Sequence, residues 1–127
     1  MERDAWLADC AKVQTFRLFE VPDPGVEECI VLYRAKVKTE DLAGRAYLEM
    51  WCRFPGRGEF FSKGLNQAVT GTNDWTSIEI PFFLKKGERP DLIRLNLVVT
   101  STGRLWKKTV SGRVWINGVE LARAPLG

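Results

Sequence analysis

The stretch "RAYLEMWCRF", residues 45–54, alternates between two kinds of side chain and thereby decides the fold class. One set is apolar and consists of Leu48, Met50, Cys52 and Phe54, and the other consists of Tyr47, Glu49, Trp51 and Arg53. A period of two is that of a β-strand, because successive side chains of a strand point to opposite faces. The sequence therefore predicts a strand with one face in a core and a second face that carries two aromatic rings between charged groups.

The same alternation recurs along the chain, between turn signals such as Pro24-Gly25, Pro55-Gly56 and Asn117-Gly118. The predicted strands span residues 15–21, 29–39, 46–54, 59–64, 75–84, 92–100, 104–110 and 113–122. About eight short segments at this spacing are typical of an antiparallel sandwich or barrel. We predict an all-β fold, an antiparallel β-sandwich of jelly-roll topology. Helix is expected only as short turns, within the first ten residues and near "TEDLAG", residues 39–44.

Parity within each strand separates a predicted core from a predicted surface. The core side chains are expected to be Val31, Tyr33, Ala35, Val37, Ile78, Ile80, Phe82, Ile93, Leu95, Leu97 and Val99. The opposite faces of the same strands carry Arg34, Lys36, Lys38, Arg94 and Asn96. Most outward faces are therefore plain polar surfaces, and the strand at 46–54 differs from them by its two rings.

Length and composition limit the classes of protein to consider. A chain of 127 residues with 45% hydrophobic residues is long enough for one domain, residues 1–127, to bury a core without disulfides or a metal. No run approaches the roughly 20 apolar residues of a membrane span. The start, "MERDAWLADC", lacks the basic-then-apolar order of a signal peptide. We expect no membrane partner and a cytoplasmic chain as given, or a secreted one if it is a piece of a longer protein.

Several kinds of chemistry are disfavoured by the residues that are absent or scattered. The chain has no histidine, which removes the commonest general base and metal ligand. Its three cysteines, Cys10, Cys29 and Cys52, are an odd number without the Cys-x-x-Cys spacing, so we expect buried thiols. The net charge of +3 is small and comes from dispersed Lys and Arg residues. The sequence therefore does not indicate a basic surface that binds the phosphate backbone of a nucleic acid. We predict that the chain is not an enzyme.

A family resemblance becomes visible in the second half of the chain. The segment "TGTNDWTSIEIPFFLKKGERPDLIRLNLVVTSTG", followed by "GRVWINGVEL", resembles galactose-binding-like jelly-roll domains, the superfamily that contains many carbohydrate-binding modules. The matching positions are Gly71, Thr72, Asp74, Trp75, Val114, Trp115 and Ile116. Many relatives also hold a structural calcium through acidic residues near the last strand. This chain has Asn117-Gly118 there, so we expect no cofactor.

The resemblance implies a ligand on the face of one sheet or in the loops at one end, with aromatic rings as the main contacts. A sugar packs its C–H face on an aromatic ring while its hydroxyls bond to polar side chains. The predicted carbohydrate site is therefore the row Tyr47, Glu49, Trp51 and Arg53, bordered by Arg34, Arg94 and Asn96 if their strands are neighbours. Tyr47 and Trp51 would stand about 13 Å apart, which suits an oligosaccharide.

Alternatives remain open at this stage. The first alternative is that another part of the chain covers Tyr47 and Trp51, which then form a second small core. Trp75 and Trp115 are expected to seal the sandwich at sheet edges, Trp106 lies on an edge or a contact surface, and Arg57 and Glu59 are candidate rim residues. Besides an oligo- or polysaccharide, the partner is either another protein, with an exposed apolar patch, or, less favoured, single-stranded nucleic acid.

Overall fold

The computed structural model describes residues 6–9, 14–100 and 111–126, and this part of the chain is almost entirely strand. Its strands are β1 (Trp6–Asp9), β2 (Gln14–Pro22), β3 (Ile30–Phe54), β4 (Gly58–Lys63), β5 (Val69–Phe83), β6 (Leu92–Thr100) and β7 (Ser111–Ala124). All pairings are antiparallel. The helical content of the described residues is one 3-10 turn, Leu65–Gln67. The predicted all-β class is confirmed.

The long strand β3 belongs to both layers of the sandwich. Residues 30–43 pair with β7 on one side and with β5 on the other. Residues 45–54 pair with β6 and, from Glu49 onward, with β4 on the opposite edge. The first layer therefore has the strand order β1-β7-β3-β5 and the second layer β2-β6-β3-β4, with β3 continuous between them.

β3 passes from one layer to the other through a bend at residues 39–44, and the segment "TGTN" of β5 holds that bend. The pairing register shifts here against both β5 and β7. The Thr72 hydroxyl accepts from the Asp41 N–H at 3.0 Å, the Thr70 hydroxyl donates to the Gly44 carbonyl, and the Asn73 amide donates to the Thr39 hydroxyl at 3.1 Å. The two threonines thus satisfy backbone groups that the irregular ladder leaves unpaired, and Asn73 links the side chains of β5 and β3.

The core lies between the layers and contains the side chains that parity predicts. The inward residues of β3 are 0–5% exposed in both layers, and Ile78, Ile80, Ile93, Leu95, Leu97 and Val99 are buried against them. Tyr33 crosses the core and donates its hydroxyl to the Asn96 carbonyl at 3.2 Å, which links the two layers. Burial raises the pKa of the Cys52 thiol to about 12. Cys29 and Cys52 are buried free thiols, as predicted.

Three local predictions differ from the structure or fall outside it. The segments 29–39 and 46–54 are one strand, because "TEDLAG" bends without leaving the ladder. The short helix expected in the first ten residues is wrong for residues 6–9, which pair with β7 as a strand. The predicted strand at 104–110, with Trp106, lies outside the described residues.

The described helical structure contains no segment with the length and apolarity needed to cross a membrane.

Candidate functional site

The second half of β3 presents its polar row on the outward face of the second layer, between β6 and β4. Residues directly opposite each other in an antiparallel pair share a face. Glu49 lies opposite Asn96 and Lys63, Trp51 lies opposite Arg94 and Phe61, and Arg53 lies opposite Leu92 and Glu59. The structure thus brings Arg94 and Asn96 beside the predicted row.

The row is closed at one end and open at the other. Tyr47 and Glu49 are only 7% and 6% exposed, and Asn96 is 5% exposed. Trp51 is half-buried and Arg53 is exposed. The expectation of an open row from Tyr47 to Arg53 is therefore corrected: Tyr47 is buried, as the covered-face alternative predicts, and a ladder of Tyr47 and Trp51 is not presented. Burial, with a contribution from the Glu49 carboxylate, raises the pKa of the Tyr47 phenol.

Glu49 is a buried carboxylate whose bonds orient the neighbouring indole. Its Oε1 accepts from the Trp51 Nε1–H at 2.8 Å and from the Asn96 Nδ2–H at 3.0 Å. Its Oε2 lies 3.7 Å from the Lys63 ammonium. A carboxylate at this depth is stable only when donors surround it. Glu49 therefore holds the Trp51 indole through a hydrogen bond, and Asn96 holds Glu49 in the same way. Both residues are buried and are not accessible to a ligand.

An aromatic pair forms the open end of this face. The rings of Trp51 and Phe61 have centroids 5.1 Å apart at an interplanar angle of 49°. Phe61 is 53% exposed, although large apolar side chains are usually buried. The Lys63 Nζ lies 4.7 Å from the centre of the Phe61 ring, on the strand that carries both. We call Trp51 and Phe61 the aromatic platform, and the outward side of the second layer around it the platform face.

Charged side chains from four strands and one loop surround the aromatic platform. Arg94 donates from Nε to Glu20 at 2.9 Å and from Nη1 to Glu59 at 2.7 Å. Arg53 donates from Nε to Asp91 at 2.9 Å, and this bond raises the pKa of the guanidinium. The platform is thus bordered by groups that both donate and accept hydrogen bonds. Glu59, a predicted rim residue, is one of them.

Arg34 lies in a different place from the rest of the predicted site, which corrects the expectation that it borders the same groove. It is on the first half of β3, in the first layer, opposite Glu79 of β5 and Glu120 of β7. Its guanidinium pairs with both carboxylates, and these bonds raise its pKa. The bend in β3 separates it from Trp51. Arg34 lines a surface groove of about 470 Å³ together with Lys36, Gln67, Ser77, Glu79 and Glu120.

The tryptophans of the first layer were expected at sheet edges. Trp75 is on β5, the outermost of the described strands on that side of the layer, and is half-buried. Trp115 is on β7, which lies between β1 and β3, so the edge position is wrong for it. Trp115 is also half-buried, and the Lys38 Nζ lies 5.1 Å from its ring centroid.

Sequence reasoning missed Phe61 and Lys63 as members of the site. The signal was the hairpin itself: Pro55-Gly56 between two strands places residue 61 opposite residue 51 once the register is known. Glu20 was missed because β2 reaches this face through a pairing with β6 that is remote in sequence.

Within the described residues, no cluster of three or more Cys, Asp or Glu side chains is arranged to hold a metal ion. The Asn117 side chain accepts from the N–H of Gly118 at 2.6 Å.

The comparisons with known proteins identify the class of fold. A solved structure described as "Family 16 Carbohydrate Binding Module-2" superimposes with a TM-score of 0.59 at 8% identity, covering 93% of this chain and 75% of that chain. No model of a known protein family matches the chain, and no curated protein matches it. The chain therefore has the β-sandwich fold of a carbohydrate-binding module, and at this identity the likeness extends to the fold alone.

Proposed function

We propose that this protein is a non-catalytic carbohydrate-binding module and that an oligo- or polysaccharide packs on Trp51 and Phe61. The observation that carries the proposal is the aromatic platform, two adjacent rings left partly open on a sheet face. The fold likeness supports the same class of function. The absence of histidine from the sequence fits a protein that binds without catalysis.

The platform suits the chemistry of a sugar ring. The C–H face of a pyranose loses apolar surface to water when it packs on an indole or phenyl ring. Its equatorial hydroxyls then reach the rim, where Arg94 and Lys63 donate and Glu20 and Glu59 accept. Because Glu49 bonds the Trp51 indole N–H, the ring is oriented before the ligand arrives, which lowers the entropy cost of binding.

The experiment that tests the proposal is a titration of tryptophan emission with soluble polysaccharides. Wild type, Trp51→Phe and Phe61→Ala are compared, with acrylamide quenching to report exposure. Phe83→Ala is the matched control, because Phe83 is 59% exposed and lies on the first layer. We expect one class of polysaccharide to shift the wild-type spectrum, a weaker response in both platform variants, and a wild-type response in Phe83→Ala. Equal binding by all four proteins would contradict the proposal.

A second candidate, a protein-docking surface, is favoured by one observation. Phe60, Phe61 and Leu65 are 50%, 53% and 48% exposed along β4 and the turn that follows it. Phe60 lies opposite Cys52, on the other side of β4 from Phe61, and packs on Phe54 at 5.7 Å. A protein partner that covers this edge would contact Phe60 as well as Phe61. Phe60→Ser would then abolish co-purification of the partner, whereas the carbohydrate proposal predicts that it leaves polysaccharide binding intact.

A further inference from the structure

The charges around the aromatic platform are matched one against another. The cations of the platform face that take part in ion pairs are Arg17, Arg53, Lys63 and Arg94, and the carboxylates that face them are Glu20, Glu49, Glu59 and Asp91. The two sets are equal in number, and Arg45, two residues before Tyr47 on β3, lies outside them, with a buried Nε that has no hydrogen-bond partner among the described residues. Each cation near the rings therefore already has a carboxylate partner within the protein.

Arg94 is the cation directly beside Trp51, and it is the most fully occupied. Its Nε atom is bonded to Glu20 on the neighbouring strand β2, and its Nη1 atom is bonded to Glu59 on β4, across β3. Its side chain is only 25% exposed. An anionic ligand that approached Arg94 would have to displace one of these carboxylates or lie against both, and like charges at close range are unfavourable.

Lys63, the other cation at the rings, is held in the same way. Its ammonium lies 3.7 Å from the Glu49 Oε2 and 4.7 Å from the Phe61 ring centre. The Glu49 carboxylate is buried and has Lys63 as its cationic neighbour, so drawing Lys63 towards a ligand would leave a buried charge with less compensation.

We infer that the aromatic platform selects uncharged glycans and discriminates against polyanions, both uronic-acid polysaccharides and single-stranded nucleic acid. The inference rests on the proposed function of the same rings. Paired carboxylates and guanidinium groups still exchange hydrogen bonds with neutral hydroxyls, because Arg94 and the carboxylates around it offer donors and lone pairs beyond those used in the ion pairs. The charge matching thus removes net attraction for anions while it keeps the polar contacts that a neutral sugar uses.

The test compares neutral and anionic polymers on the full chain. Hydroxyethyl cellulose, glucomannan and laminarin are the neutral probes. Carboxymethyl cellulose, alginate, polygalacturonate and a dT oligomer are the anionic ones. We expect binding of at least one neutral probe, with less than about a twofold change in Kd between 20 and 300 mM NaCl, since no counterions are released. Tighter binding of an anionic probe, weakened by salt, overturns the inference and leaves carbohydrate binding standing if that probe is a polysaccharide. Failure of every probe overturns the proposed function as well.

A variant that removes one of the paired carboxylates tests the same inference, because it should raise the affinity for anionic polymers. Glu59→Gln removes one carboxylate from Arg94, and we expect affinity for carboxymethyl cellulose at low salt to rise about threefold and to become salt-dependent. The matched control is Glu79→Gln, which removes a carboxylate from Arg34 in the other layer. The same rise in both variants would show a non-specific effect of net charge and would overturn the inference. Arg57, exposed in the β3–β4 turn, is replaced by Ala in a third variant. If Arg57→Ala is the variant that loses affinity for carboxymethyl cellulose, the anionic polymer binds at the β3–β4 turn and not at the aromatic platform.

Discussion

The two outward faces of the sandwich are built on the same strand and yet differ in what they offer a partner. On the first layer, β3 presents Arg34 between Glu79 and Glu120, and Lys38 lies over the Trp115 ring. On the second layer, the same strand presents Trp51 beside Phe61, with the ion pairs around the rings. One face uses its charges to cover the middle of the sheet, whereas the other leaves an aromatic pair open.

The difference shows that alternation alone does not define a binding face. Both faces follow the period of two, and both carry tryptophan. What separates them is whether a nearby side chain covers the face of the ring or bonds to its edge. Lys38 lies on the face of Trp115, while Glu49 bonds the edge of Trp51 and leaves its ring free to pack. A buried acceptor beside an open ring is thus the feature that marks the platform face.

The largest expected effect is on the stability of the fold that carries both faces. Gly112 has a φ of +118°, and a Cβ there would lie 2.5 Å from the Asp41 carbonyl oxygen and 2.7 Å from the Leu42 Cα, at the bend of β3. Gly112→Ala is therefore expected to lower the free energy of unfolding by about 3 kcal/mol, from backbone strain and overpacking. The measurement is urea unfolding.

The control for that variant is Gly87→Ala, which has a φ of +87° but open space around the added Cβ. Its cost should be limited to about 1 kcal/mol of backbone strain. Equal urea midpoints for the two variants would mean that the close contact at the bend does not restrain the two layers.

The next largest effect on stability is expected at Glu49, which holds the Trp51 indole in place. Glu49→Ala leaves the buried Asn96 amide and the Trp51 N–H without their acceptor, and we expect a loss of about 2 kcal/mol in unfolding free energy together with increased acrylamide quenching of Trp51. Glu59→Ala, which removes an exposed carboxylate from the same face, should cost about 0.5 kcal/mol or less. The account of Glu49 is wrong if the two variants lose stability equally and quenching does not change.

A smaller change in free energy is expected for ligand binding itself. Trp51→Ala should weaken binding of the responsive polysaccharide about tenfold, which corresponds to about 1.4 kcal/mol, because it removes the larger ring of the platform. Trp115→Ala, on the other face, should leave the affinity unchanged. Affinity electrophoresis in gels that contain the polysaccharide measures both. Weaker binding by Trp115→Ala, with unchanged binding by Trp51→Ala, would show that the site lies on the first layer.

The smallest effect compares the two arginines. Arg34→Met removes a charged bridge between exposed side chains, so we expect no measurable change in urea midpoint or polysaccharide affinity. Arg94→Met, beside the platform, should weaken binding about threefold through the loss of a donor. A binding defect in Arg34→Met that matches the one in Arg94→Met would restore Arg34 to the site.

Much of this architecture could be predicted from local patterns. The alternation in "RAYLEMWCRF" identifies the inward residues of β3 correctly, and the turn signals locate β4, β6 and β7 to within a few residues. The bend at "TEDLAG" could not be read in this way, because it depends on bonds from Thr70, Thr72 and Asn73, some thirty residues further on. Local propensity there indicates a break between strands, and long-range hydrogen bonds keep the strand continuous.

The site could be predicted only in part, for a related reason. Parity places Trp51, Arg53 and Arg94 outward, but it does not reveal that Tyr47, Glu49 and Asn96 are buried on the same face. Nor does parity give the strand order, which places Phe61 beside Trp51 in the site and places Arg34 in the other layer. Those facts depend on which strands are neighbours, and pairings such as β3 with β6 join residues far apart in the chain.

The most direct test of the central claim follows the tryptophan indole N–H signals by NMR while a neutral oligosaccharide of the responsive class is added. With each signal assigned by Trp→Phe substitution, the account predicts that the Trp51 Nε1–H resonance moves with the ligand while those of Trp75 and Trp115 stay in place. Movement of Trp75 or Trp115 with Trp51 unchanged would place the ligand on the first layer, and would contradict the claim that the platform of Trp51 and Phe61 is the binding site.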